Sequence, residues 1–219
     1  TNQNYQRLPF VRANPRYEQE DFRREAVRRL GSAEITPGEV SAYWLRQGLL
    51  YIEAQPFAFL ERLWGRFRIF WNAYEMPDCY NMSFISRHFV SMLRFLPGFG
   101  IIAPLGLLGI ALTAGQWRRL WPFYGFIVVY MGTLMLFFVF ARYRLPVVGT
   151  LAAFGGAALI RLWDIRKRGK RLAAFLASGA VLFALINLPP PYKVPDSKPL
   201  RNLGTVARER GEMEKAVDY

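Results

Sequence analysis

Between Trp121 and Ala141 the chain reads "WPFYGFIVVYMGTLMLFFVFA", a run without a single charged side chain. The hydrocarbon core of a bilayer takes about 20 consecutive apolar residues in helical form. A helix also satisfies every backbone N–H and C=O inside the segment, which a lipid environment demands. The stretch therefore predicts a transmembrane helix and sets an all-α membrane class for its neighbours.

Three further runs flank it. Upstream is Phe89–Ala114, "FVSMLRFLPGFGIIAPLGLLGIALTA", uncharged after Arg94, with Pro97 and Pro104 expected to kink it or delay its start. Downstream are Leu145–Trp163, "LPVVGTLAAFGGAALIRLW", and Leu172–Leu188, "LAAFLASGAVLFALINL". The small residues of "GTLAAFGGAA" suit close helix packing. The expected fold is an all-α integral membrane protein with about four spans over residues 89–188. Residues 1–88 precede the spans, a Pro-rich linker covers 189–200, and 201–219 close the chain.

Composition agrees with that class. The chain is 53% hydrophobic with a net charge of +13. A basic chain seeks nucleic acid or anionic headgroups, and long uncharged runs serve only the second. Membrane lipid is thus the expected partner and nucleic acid is not. Cys79 and His88 are the sole cysteine and histidine, which excludes a disulfide framework and argues against a Ser/His/Asp triad or a clustered metal site. No metal or cofactor is expected.

The connecting loops predict orientation. "GQWRRLW" lies between the first two spans, and "RLWDIRKRGKR", with six basic residues, between the last two. Short Lys/Arg-rich loops stay in the cytoplasm, so both chain ends are expected on the extracytoplasmic side. Arg142 and Arg144 then fall where few cations belong. Two readings are open: snorkelling to headgroups at a span end, or holding the phosphate of a lipid with the planar guanidinium fork.

Ahead of the spans, "YEQEDFRREAVRRL" has helical spacing with alternating charge. Thr36, Pro37 and Glu39 form an expected capping box at the start of a second helix. A third helix is expected from Pro56, with a dense aromatic face from Phe57 to Tyr74 that suits either a membrane interface or a buried packing surface. Glu75 and Asp78 in "EMPDCYNMSF" are paired carboxylates in a turn-rich stretch. Past the linker "NLPPPYKVPDSKP", Leu203, Gly204, Gly211 and Ala216 have the spacing of a tetratricopeptide repeat. A single repeat cannot bury its own apolar face. That tail and the opening "TNQNYQRLPFVRANPRYEQ", which has neither an initiating Met nor an apolar core, read as parts of a longer polypeptide.

"FWNAYEMPDCYNMSF", four spans and "FFVFARYRLPVV" between the second and third resemble the C-terminal part of bacterial GT-C-fold membrane glycosyltransferases, the relatives of aminoarabinose transferase and protein O-mannosyltransferase. The resemblance runs from about Tyr17 to the end. It implies transfer of a sugar from a polyprenyl-phosphate donor to an extracytoplasmic acceptor at the bacterial inner membrane. It places Arg142, Tyr143 and Arg144 near the lipid phosphate. The family's catalytic acids lie in a first extracytoplasmic loop that nothing here matches, so Glu18, Glu20 and Asp21 are not assigned to that role. The alternative is a non-catalytic membrane scaffold subunit of a larger complex, for example photosynthetic or respiratory, meeting protein partners through its helices or its repeat.

Overall fold

The computed structural model describes residues 10–11, 17–31, 35–77, 85–86, 92, 96–191 and 208. Every element longer than a turn among them is helical. Cys79, His88 and Asp78 lie outside the described residues, as do residues 201–219, where a tetratricopeptide repeat is expected, apart from Arg208.

The chain divides into two compact units, Thr1–Gly65 and Arg66–Tyr219. The first contains α1 (Glu18–Leu30), α2 (Pro37–Ala54) and the start of α3 (Pro56–Trp71). Gly31 ends α1 in the left-handed conformation, φ 69°, and its N–H returns to the Val27 carbonyl. The expected capping box opens α2: the Glu39 N–H donates to Thr36 Oγ1 at 3.3 Å, and the Thr36 N–H donates to the Glu39 carboxylate at 2.7 Å. α1 and α2 meet through rings, with Phe22 edge-on to Trp44 and Phe10 stacked on Trp44. The Trp44 indole N–H donates to the Phe22 carbonyl at 3.2 Å.

The second unit holds α4 (Phe99–Thr113), a 3-10 turn (Ala114–Gln116), α5 (Trp117–Leu136), α6 (Ala141–Ile165) and α7 (Gly169–Ile186). Among the described residues, three helical stretches are long and apolar enough to cross a membrane: Phe99–Leu136, Ala141–Ile165 and Gly169–Ile186. The expected span bounds shift accordingly. α5 starts four residues before Trp121 and ends at Leu136, so the aromatic run after it is an extended connection. α6 starts at Ala141, which puts "RYR" in the first helical turn rather than in a loop. The first run is helical from Phe99, just past Pro97.

Phe99–Leu136 doubles back at the 3-10 turn. Thr113 Oγ1 and Tyr124 Oη are 2.9 Å apart, whereas eleven residues of straight helix would separate them by roughly 16 Å. α4 and α6 run parallel: Arg144 lies over the Phe99 ring, and Gly106 and Gly109 approach Leu151 and Phe154. α7 runs against them, with Asn187 beside Gly100 and Leu108 beside Gly179. Helix directions therefore alternate from α4 to α7, and the two basic turns, with Arg118 and Arg119 at the first and Arg166, Lys167 and Arg168 at the second, share one end.

α4 and α6 approach most closely because glycine lets them. A Cβ on Gly109 would collide with the Phe154 carbonyl, and one on Gly106 would stand 2.8 Å from Leu151. Leu108, Ala158, Ile165 and Phe175 form a buried cluster toward the basic end. The outer faces stay apolar: α7 buries only Phe175 and Ile186 and exposes Leu176, Val181, Phe183 and Leu185. A helix that is apolar on its unpacked faces matches lipid rather than water.

Candidate functional site: a collar at the non-basic end of the bundle

The last turn of α3 and the segment after it, Arg66–Pro77, fasten the helix ends opposite the basic turns. The final carbonyls of a helix have no partner within it, and this segment supplies partners for two helices. Arg66 Nη1 donates to the Met135 and Leu136 carbonyls at 2.7 and 2.8 Å, closing α5. The Ala73 N–H donates to the Ile186 carbonyl at 2.8 Å, and Asn72 Nδ2 to that of Leu188 at 2.8 Å, closing α7. A cation at the C-terminus of α5 is also favoured by the helix dipole. In the other direction, the Met76 carbonyl accepts the first N–H of α6, that of Ala141, at 2.9 Å.

Arg144 completes the collar. Its side chain is buried, 2% exposed. Nη1 donates to the carbonyls of Asn72 at 2.7 Å and Phe70 at 3.0 Å, with Ile69 at 3.5 Å, and Nη2 donates to that of Tyr74 at 3.2 Å. Its guanidinium carbon stands 4.2 Å from the Phe99 ring centroid. A buried cation is costly unless its donors are used, and here the end of α3 turns its carbonyls inward to use them. The turn is made by Asn72, whose Oδ1 accepts the Tyr74 N–H at 2.8 Å.

Arg142 and Tyr143 point elsewhere. Both are exposed. Arg142 Nη2 donates to Tyr143 Oη at 2.7 Å, and its guanidinium lies 4.7 Å from that ring. The three residues singled out from sequence thus divide into an outward pair and an inward anchor. Glu75 is half-buried beside Tyr74, within the collar.

Sequence reasoning placed Arg66, with Arg62 and Arg68, only among the arginines of an aromatic helix suited to a membrane interface, and did not single out Asn72 or Asn187. The available signal was weak: a cation near the end of an aromatic helix, and asparagines just past the ends of two helices, where such residues commonly cap. Among the described residues no group of three His, Cys, Asp or Glu side chains is placed to hold a metal. Compared with protein-family models, curated proteins and solved structures, the chain matches none.

Proposed function

We propose that this chain is the membrane region of a glycosyltransferase that moves a sugar from a polyprenyl-phosphate donor to an extracytoplasmic acceptor. α4 to α7 make four crossings of a bacterial inner membrane. The basic turns face the cytoplasm, and the collar faces outward. One observation carries the reading: the two stretches on which the family resemblance rests, "FWNAYEMP" and "ARYRLP", meet through Arg144 and the carbonyls of Phe70, Asn72 and Tyr74.

In this reading the outward pair, Arg142 and Tyr143, takes the donor phosphate and Arg144 positions the helix that carries them. Transfer forms a bond from the acceptor nucleophile to the sugar's anomeric carbon and breaks the bond from that carbon to the phosphate oxygen. The electron pair leaves on the polyprenyl phosphate, where a fixed guanidinium offsets the charge. The acceptor's proton passes to a base on a part of the enzyme that this chain does not match.

The scaffold reading keeps one support of its own, since Arg144 spends its hydrogen bonds on backbone carbonyls. Native membranes separate the two. We expect the polypeptide there to have a mass well above the 25.3 kDa of this sequence, and Arg142→Gln with Tyr143→Phe to abolish sugar transfer while insertion persists. A native mass near 25.3 kDa, or transfer unchanged by the double substitution, defeats the transferase reading.

A further inference from the structure

The other end of the bundle carries a second feature, independent of sugar transfer. Residues 114–121 and 161–171 contain eight Lys and Arg against one carboxylate, Asp164. Three tryptophans stand among them with most of their surface open: Trp117 at 59%, Trp121 at 62% and Trp163 at 68%. The tryptophans and cations share a level. The Tyr124 and Phe154 rings stack at 5.3 Å, and α5 and α6 run in opposite directions from that contact. Trp117, seven residues before Tyr124, and Arg161, seven after Phe154, therefore both lie roughly 10 Å beyond it.

Two of these cations lie over indole rings. Arg166 lies 3.7 Å from the Trp163 ring and donates to the Trp163 carbonyl at 2.7 Å. Arg118 lies 5.7 Å from the Trp117 ring. An indole with its face under a guanidinium is apolar toward the helices and cationic at its tip, which is the polarity profile of a bilayer's interfacial layer.

The geometry points to this end as a docking surface for anionic phospholipid headgroups, which it draws from the leaflet into a selected shell around α5, α6 and α7. The occupant follows from charge complementarity and from the apolar helix faces continuous with the patch. A soluble polyanion such as RNA would meet the cations but leave the apolar helix surface below them uncovered.

The test uses the purified full chain in mixed vesicles of phosphatidylcholine with spin-labelled phosphatidylglycerol or spin-labelled phosphatidylcholine. Spin resonance reads the motionally restricted fraction of each label. The restricted fraction should favour phosphatidylglycerol about fivefold or more at low salt, and the preference should fall as ionic strength rises. Replacing Arg166, Lys167, Arg168, Lys170 and Arg171 with Gln should abolish it. Arg166→Lys, Arg168→Lys and Arg171→Lys together should keep it, which separates lost charge from lost fold. Equal restriction of both labels by the unaltered chain overturns the proposal, as does a preference that survives the Gln substitutions. Displacement of the lipid label by stoichiometric RNA overturns it in favour of a nucleic-acid surface.

Discussion

Asn187 Nδ2 donates to the Gly100 carbonyl at 3.1 Å, and Pro104 is the reason that carbonyl is open. Proline has no N–H, so the carbonyl four residues before it loses its helical donor. Asn187, just past the end of α7, supplies the missing bond from a neighbouring helix and also donates to the Phe183 carbonyl at 2.9 Å. The proline that interrupts a span in the sequence thus forms part of a contact between α4 and α7.

A double-mutant cycle tests that contact. Asn187→Ala should destabilise the folded chain by about 1–2 kcal/mol, the cost of one buried acceptor left without a partner. In a Pro104→Ala background the residue 104 N–H can take the Gly100 carbonyl, and the Asn187→Ala penalty should shrink. Equal penalties in both backgrounds, measured by denaturation in mild detergent, would separate the two residues.

The divided roles of Arg142 and Arg144 predict opposite phenotypes. Arg144→Gln abandons several inward carbonyls and should cost about 2–4 kcal/mol, with thermal melting and protease access to residues 66–77 as readouts. Arg142→Gln alters an exposed side chain and should change stability by less than about 0.5 kcal/mol. Comparable melting losses in the two variants would remove the distinction between anchor and outward pair.

The close approach of α4 and α6 predicts a contrast between two glycines. Alanine is the better helix former by about 1 kcal/mol, but at Gly109 its methyl would meet the Phe154 backbone, which cannot rotate away. Overpacking should win, with a net loss of about 1–3 kcal/mol. A methyl group on Gly149 would meet nothing within 4 Å, so Gly149→Ala should be neutral or stabilising. Parallel thermal melts of the two variants check the order.

Acid should weaken the first unit through α1. Arg28 and Arg29 donate to the Glu25 carboxylate at 2.6 and 2.7 Å, and these bonds hold its pKa down to about 2 from 4.5. A carboxylate lowered on folding adds stability that is complete above about pH 4.5 and is lost as pH falls toward 2. The Thr36 N–H and hydroxyl lower Glu39 as well, so its contribution has the same sign. Glu25→Gln should flatten the pH dependence of helicity between pH 4.5 and 2, followed by circular dichroism. An unchanged acid profile would show that the Glu25 bonds carry no such linkage.

Local signals were legible wherever backbone chemistry is local. Thr36, Pro37 and Glu39 marked the start of α2, because a capping box satisfies its own N–H groups within four residues. Pro56 marked the start of α3. Long uncharged runs marked the spans. Their ends were less legible: Phe137, Phe138, Val139 and Phe140 are as apolar as the helix before them, so hydropathy continued past the point where the helix stopped.

The sequence by itself determined the all-α class, the apolar helices and the charge at their turns, since each depends on composition within a single segment. Only the tertiary structure decided which helices lie side by side, and that Arg144 turns inward while Arg142 and Tyr143 turn out. The physical reason lies in the membrane character of the chain. When both faces of a helix are equally apolar, periodicity no longer distinguishes the packed side from the lipid side. Contact is then chosen by where glycine permits approach and where an open carbonyl, such as those of Gly100 and Asn72, finds a donor from another helix.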